Sequence, residues 1–354
     1  MAADFLLYGS YGYTGRLIVE RARAAGLTPL LAGRDAGTVG AQAAETGFPH
    51  RAFALDDTAA LDAALRETHV VLHAAGPFSR TSRPMVEACL RTGAHYLDIT
   101  GEIAVFEAVA AQDARAKAAG VMLLPGAGFD VVPSDCLAAH LKRRLPSATR
   151  LSLAFQGIGG ISRGTLTTMI ENIDQGGAVR RGGRITRVPA AYRSRTVDFG
   201  RGEVSVTTIP WGDVSTAFYS TGIPDIEVYT RVGAAARRGM IASRHLGWLL
   251  GSGPVQGLMK RRIRSGPPGP TPEQRARGKS LLWGQAEDDA GGRAVSRMLT
   301  PEGYTLTAMT SVEAVRRVLA GDAPAGFQTP SRAYGADWIL EFDGVERVDV
   351  NGSA

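Results

Sequence analysis

Lysine is nearly missing from this chain. Of 40 basic residues only Lys117, Lys142, Lys260 and Lys279 are lysine, and the rest are arginine. No tyrosine has a lysine four positions later, which excludes the Tyr-x-x-x-Lys dyad of short-chain ketoreductases. Cysteine is almost as scarce. Cys89 and Cys136 form no CxxC pair and no disulfide framework, so buried thiols in a reducing compartment are expected. There is no HExxH zinc motif and no Cys/His cluster, so no catalytic metal is expected. No apolar run approaches the roughly 20 residues of a membrane span. The first apolar strand opens at residue 4, so no secretory leader is expected and the chain reads as cytoplasmic. No nucleic-acid motif and no internal repeat is seen.

What is abundant is glycine, 44 in 354 residues, and the first of them matter most. Asp4-Phe5-Leu6-Leu7-Tyr8 reads as a strand, Gly9-Ser10-Tyr11-Gly12-Tyr13-Thr14-Gly15 as a turn, and Arg16 onward as a helix. Strand, glycine turn and helix are the setting of a dinucleotide-binding loop. Gly9 would make the tight turn, Gly12 would admit a pyrophosphate, and Gly15 would let helix and strand pack closely. The helix N-terminus would supply N–H groups to the phosphates. The spacing is GxxGxxG, which an ordinary strand–helix turn also fits. The next strand, Pro29–Ala32, ends in Gly33-Arg34-Asp35. Where an NAD site carries an acid, Arg34 stands, suited to a 2′-phosphate and to stacking on adenine. The expected cofactor is therefore NADP(H), with Asp35 as the feature that argues against it.

Strand and helix patterns alternate to about residue 125, giving six strands and a doubly wound parallel sheet. Asp56, in the turn after the third strand, suits the adenine edge or else caps the next helix. The fourth strand, His69–Ala75, ends in Gly76-Pro77, where the nicotinamide ribose is expected, and a helix is expected over Arg83–Thr92. The fifth ends in Thr100-Gly101-Glu102, followed by a helix over Ile103–Ala119; the sixth leads to Phe129-Asp130. The pattern then changes. Ser134 is expected to cap a helix reaching Leu145, residues 176–202 to be loop and short strand, and Trp338–Phe342 to be the last strand. The expected architecture is α/β: a Rossmann domain over 1–130 and a second α+β domain over 131–354 on a mixed or antiparallel sheet. A helix at 311–320 is expected to dock back on the first.

Taken together, Gly9–Gly15, Leu31-Ala32-Gly33-Arg34, Ala75-Gly76-Pro77-Phe78, Gly93–Glu102 and Gly128–Asp135 resemble one group in that order. Gly164-Thr165 and Gly326–Pro330 fit it too. The chain resembles the saccharopine dehydrogenase-like oxidoreductases, and within them the trans-acting enoyl reductases. The resemblance implies an NADP-binding Rossmann domain, a substrate domain whose large sheet often mediates dimerisation, and reduction of a C=C or C=N bond. On it, Gly9, Ser10, Tyr11, Gly12, Tyr13, Thr14, Gly15, Arg34, Asp56, Ala75, Gly76, Pro77, Thr100 and Gly101 are the cofactor candidates. Phe129, Asp130, Ser162, Arg163 and Thr165 are the substrate candidates. Ser162-Arg163-Gly164-Thr165 departs from the family in having Arg163 where a second glycine is usual, so a cation could reshape the pocket or hold an anionic group.

Hydride transfer needs a donor for the charge that develops on the acceptor. Asp130 and Glu102 are the acid candidates, since burial can raise a carboxyl pKa. Helix capping is the equal alternative for Glu102. His73 and His95 lie on apolar strands and read as satisfied core residues. The reading is an NADPH-dependent reductase of an unsaturated or imine substrate, in lipid, polyketide or other specialised metabolism. The alternatives are an amino-acid-linked C–N dehydrogenase and an NADP(H)-binding sensor without chemistry. Residues 231–279 carry eleven basic side chains and one acid, Glu273. This stretch suits an acyl carrier protein, an acyl thioester or a peripheral membrane contact, or is only a solvated face.

Overall fold

The structure is a computed structural model that describes residues 3–158, 162–171 and 176–350. It divides into two compact units, one of Met1–Val132 with Tyr304–Ala333, the other of Pro133–Gly303 with Tyr334–Ala354. The segment that returns to the first unit therefore starts at Tyr304, ahead of the expected 311–320 helix.

The first unit alternates β1 (Phe5–Tyr8), α1 (Tyr13–Ala24), β2 (Pro29–Gly33), α2 (Ala36–Thr46), β3 (His50–Ala52), α3 (Thr58–Thr68), β4 (Val70–His73), α4 (Phe78–Thr92), β5 (His95–Asp98), α5 (Ile103–Ala110), α6 (Asp113–Ala119) and β6 (Met122–Leu124). The sheet runs β6-β5-β4-β1-β2-β3, all parallel. β1, β2, β4 and β6 are buried along their whole length, as strands covered by helices on both faces must be. The order reverses between β1 and β4, and ligands of such sheets bind beyond the strand ends at that point.

A seventh strand, Gly326–Phe327, lies parallel to β6 and makes the sheet one strand wider than the sequence pattern indicated. It is two residues long and has no periodicity of its own. Phe327 N donates to Asp113 Oδ1 at 2.9 Å and Gln328 N to Leu123 O at 2.9 Å.

Two helices of this unit differ from expectation. The single helix over 103–119 is two, α5 and α6, because the chain breaks at Ala111-Gln112. α4 begins at Phe78 instead of Arg83, leaving Pro84 inside it. The earlier start is explained by Glu102, whose carboxylate accepts from Phe78 N at 2.7 Å and Ser79 N at 3.1 Å. A cap supplied from 24 residues away is invisible to local pattern.

The second unit is built on a nine-stranded mixed sheet. It opens with α7 (Val132–Arg144), β7 (Arg150–Ile158) and α8 (Arg163–Glu171). β8 (Gly177–Arg181), β9 (Arg184–Val188), β10 (Ser194–Asp198) and β11 (Glu203–Thr208) follow, then α9 (Asp213–Thr221) and β12 (Asp225–Thr230). The helices α10 (Ala234–Leu250), α11 (Gly253–Arg264) and α12 (Pro272–Arg277) precede the long hairpin β13 (Lys279–Glu287) and β14 (Arg293–Pro301). β12 is parallel to β7 and the other pairs are antiparallel. Tyr229, Trp283, Val206 and Phe199 centre its core.

Two expectations fail here. Ser134 does not cap α7. It lies inside the helix, and its Oγ donates to Asp213 Oδ2 at 2.9 Å. Residues 176–202 hold loop and short strand as expected, the strands being β8 to β10. Trp338–Glu341 is a 3₁₀ helix, and the last strand is Glu346–Val350. Trp338 and Ile339 are both buried while Leu340 is exposed, a burial pattern that strand alternation cannot give.

Candidate functional site

The glycine turn is closed by steric fit. Gly9 has φ +90°, and a Cβ there would stand 2.8 Å from Ala75 N at the end of β4. A Cβ on Gly15 would stand 2.2 Å from Gly9 O. Neither position admits a side chain, so helix α1 is drawn against the turn that precedes it. Gly12 is the N-cap of α1. No side chain caps this helix and no acid lies in its first turn.

The neighbouring helices contrast with α1. Asp35 caps α2 through Thr38 N at 2.7 Å, Asp57 caps α3 through Ala60 N at 3.0 Å, and Glu102 closes α4. Each of these N-termini has a carboxylate against its free amides, whereas that of α1 offers its own to a ligand. The same bonds assign the caps beside the expected cofactor residues. Asp35 caps α2 next to Arg34, and the cap of α3 is Asp57, which leaves Asp56 exposed beside it.

Arg34 stands exposed at the end of β2 and has no ion-pair or hydrogen-bond partner among the described residues. Burial raises the Tyr8 phenol to about 12, and Tyr11, Arg34 and Asp56 all lie near enough to act on it through their charge. These four therefore share one corner, over the ends of β1, β2 and β3. Tyr11 lies with its ring against Gly33, where a Cβ would come within 2.4 Å of Cε1. Tyr13, in the first turn of α1, meets Tyr304 edge-on at 5.1 Å.

Two side chains that the sequence did not single out, the buried Gln42 and the half-buried Thr81, brace the site. Ser10 Oγ donates to Gln42 Oε1 at 2.7 Å, and Gln42 Nε2 donates back to Ser10 O at 2.9 Å. Thr81 Oγ1 donates to Ala75 O at 2.7 Å and lies 2.9 Å from His73 Nε2. Since that hydroxyl has one proton, given to Ala75, the imidazole must donate from Nε2. Nδ1 is then a buried acceptor with no partner among the described residues. Burial lowers the His73 pKa to about 3, so the ring stays neutral and is only half satisfied. His95 Nδ1 accepts from Met122 N at 3.0 Å, a structural use. The Gly76–Pro77 peptide is cis.

Three carboxyl groups gather at the ends of β5 and β6. Asp98 is fully buried and accepts from Tyr96 Oη at 2.6 Å, Gly126 N at 2.8 Å and Thr100 N at 2.9 Å. Burial still holds its pKa up at about 6. Thr100 Oγ1 in turn accepts from Glu102 N at 3.1 Å. Asp130 is pushed to about 7, first by burial and then by the charge of Glu102. Its carboxyl lies against Gly101, where a Cβ would come within 2.6 Å of Oδ2. Phe129 N donates to Thr307 Oγ1 at 3.0 Å, tying this turn to the returning helix Gly303–Leu319. Among the described residues no cluster of His, Cys, Asp and Glu could hold a metal ion.

Of the substrate candidates, Phe129 and Asp130 belong to the first unit and Ser162, Arg163 and Thr165 to the second. Thr165 N donates to Ser162 Oγ at 3.3 Å, which makes Ser162 the start of α8. The G-x-S-x-G spacing of a hydrolase elbow, expected to be absent, is present from Gly160 to Gly164 with Ser162 at its centre; Gly160 and Ile161 lie outside the described residues. Arg163 Nε donates to Gly266 O at 2.8 Å, and its Nη2 to the same oxygen. The guanidinium is thus bound to the loop before α12.

Residues 5–124 match the family model described as the saccharopine dehydrogenase NADP binding domain. A trans-acting enoyl reductase of Mycobacterium leprae is 33% identical over 150 residues, 40% of this chain and 36% of that protein. A trans-acting enoyl reductase of Mycobacterium tuberculosis is 31% identical over 151 residues, with the same shares. The matched segment spans about a third of the length of these curated relatives. Among solved structures, apo histidine-tagged saccharopine dehydrogenase (L-Glu forming) from Saccharomyces cerevisiae covers 99% of this chain and 100% of its own, with a TM-score of 0.67 at 14% identity. That likeness is one of fold.

Proposed function

We propose that this chain, which carries an NADP-binding domain of the saccharopine dehydrogenase type over residues 5–124, is an NADPH-dependent reductase of an activated C=C bond, such as an enoyl thioester. The observation that carries the reading is the uncapped N-terminus of α1 over the Gly9–Gly15 cradle, with the unpaired Arg34 at the next strand end. The cradle fits a pyrophosphate, and the free guanidinium fits a 2′-phosphate. The kinship with proteins named trans-acting enoyl reductases supports the substrate class.

When bound, the dinucleotide supplies a hydride. The residues of the chain do the rest. Gly9, Gly12 and Gly15 admit the phosphates, Ser10 and Gln42 hold the turn in shape, and Arg34 with Asp56 frames the adenosine end. Thr81 and His73 set the carbonyl of Ala75 beside the loop expected to face the nicotinamide ribose. Asp130 holds a proton at its carboxyl near neutral pH and is the candidate donor to the α carbon. Glu102 is bound to the start of α4 and acts on the chemistry through Asp130.

Loss of NADPH absorbance with a panel of enoyl thioesters tests the reading. Turnover with an amino acid and a keto acid, and none with the thioesters, would replace it with a C–N dehydrogenase. Tight NADPH binding with no turnover on either would leave a sensor.

A further inference from the structure

From Arg231 to Gly269 no described side chain is buried, although the stretch includes the 17-residue α10 and the 12-residue α11. No acidic residue lies between Glu227 and Glu273. No described helix of the chain is long and apolar enough to cross a membrane.

Polar bonds fix which way each helix faces. On α11, Lys260 Nζ pairs with Glu171 Oε1 of α8 at 2.7 Å. At 100° per residue, Leu258 and Arg262 then lie nearly opposite Lys260, with Arg261 beside Leu258. Leu258 is 71% exposed, the highest value among the exposed large apolar side chains of the described residues. On α10, Arg237 Nε donates to Ser194 Oγ at 3.1 Å and Arg244 Nε to Ala190 O at 2.8 Å. These two are seven residues apart and share a face; Leu246, 44% exposed, stands on the other. Arg163 pins the loop after α11 through Gly266 O. α10 is thus tied to the β9–β10 segment and α11 to α8, and each shows an apolar tip on the side away from its anchor. Arg231, Arg238, Arg261, Arg262 and Arg277 are exposed and have no ion-pair partner among the described residues.

We propose that the exposed faces of α10 and α11 dock on an anionic phospholipid surface, with Leu258 and Leu246 entering the headgroup layer and the free arginines pairing with lipid phosphates. A charge of one sign, spread over several elements and mixed with isolated apolar tips, matches a delocalised anionic sheet. A protein partner would instead meet a patch whose centre is poor in charge. The proposal does not depend on the reductase reading.

Flotation of the full chain with vesicles of phosphatidylglycerol and phosphatidylcholine tests it, with pure phosphatidylcholine vesicles as the comparison. The chain is expected to float with the anionic vesicles and not with the neutral ones, and to be released by salt. Leu258→Asp is expected to weaken binding about tenfold, and the pair Arg261→Gln and Arg262→Gln by roughly 25-fold, about fivefold for each charge near the surface. Circular dichroism and NADPH binding would verify that each variant is folded. No flotation of the wild type, equal flotation with neutral vesicles, or retention by an acidic acyl carrier protein but not by vesicles would each overturn the proposal. So would Leu258-dependent self-association in sedimentation without vesicle binding.

Discussion

Ser10 and Gln42 exchange two hydrogen bonds, one in each direction, between the glycine turn and the middle of α2. Both side chains are buried, at 0% and 2% exposure, so the pair has no water to fall back on. The turn that would receive the pyrophosphate is thereby braced by the helix whose start lies beside Arg34.

Replacing Gln42 by leucine leaves Ser10 with an unpaired hydroxyl and an unpaired carbonyl. A loss of about 1–3 kcal/mol of stability is expected, together with a higher Kd for NADPH. In a double-mutant cycle with Ser10→Ala the two changes should be strongly non-additive. Chemical denaturation and cofactor titration read both. Additive losses would mean that the pair does not act as a unit.

Arg34 is the test of cofactor choice. Arg34→Ala is expected to weaken NADPH binding by about 10–100-fold, the worth of one charge-assisted hydrogen bond of about 1.5–3 kcal/mol, and to leave NADH nearly unchanged. Fluorescence titration with both nucleotides checks this. Equal weakening of the two would remove the 2′-phosphate role.

Glu102 closes α4 and also acts on Asp130. Glu102→Gln keeps one acceptor for Phe78 N but removes the charge. A modest stability loss of about 1 kcal/mol is expected, as for a lost cap. With the negative charge gone, the Asp130 pKa should fall, so any activity limb that depends on Asp130 should move to lower pH. An unmoved limb would separate the two carboxyl groups.

Asp130 carries the pH dependence. Its pKa is raised to about 7 in the folded chain, against about 4 for an ordinary aspartate. Folding therefore takes up a proton. The stabilisation is complete below about pH 4 and is lost as pH rises through 7. Asp130→Asn should flatten the stability profile between those limits. If Asp130 donates the proton in turnover, wild-type activity should drop about tenfold per unit above pH 7, and the asparagine variant should lose turnover while still binding NADPH. Full turnover in that variant would place the donor elsewhere.

Local pattern was enough for the parallel sheet, the glycine turn and the position of Arg34 at the end of β2. Each depends on residues adjacent in the chain: an apolar run buried on both faces, glycines where a Cβ would strike backbone, a charge directly after a strand. It was also enough to mark Asp130 and Glu102 as carboxyl groups at strand ends. What each of them does was decided in three dimensions. Glu102 became the cap of a helix 24 residues earlier, Asp57 and not Asp56 capped α3, Ser134 turned from cap to buried donor, and Arg163 was bound to a loop carbonyl. The short strand Gly326–Phe327 and the Ser10–Gln42 pair likewise exist only once distant segments meet. Neither a hydrogen bond between remote side chains nor the burial that shifts a pKa has a signature in sequence spacing, because both depend on which atoms exclude water around them.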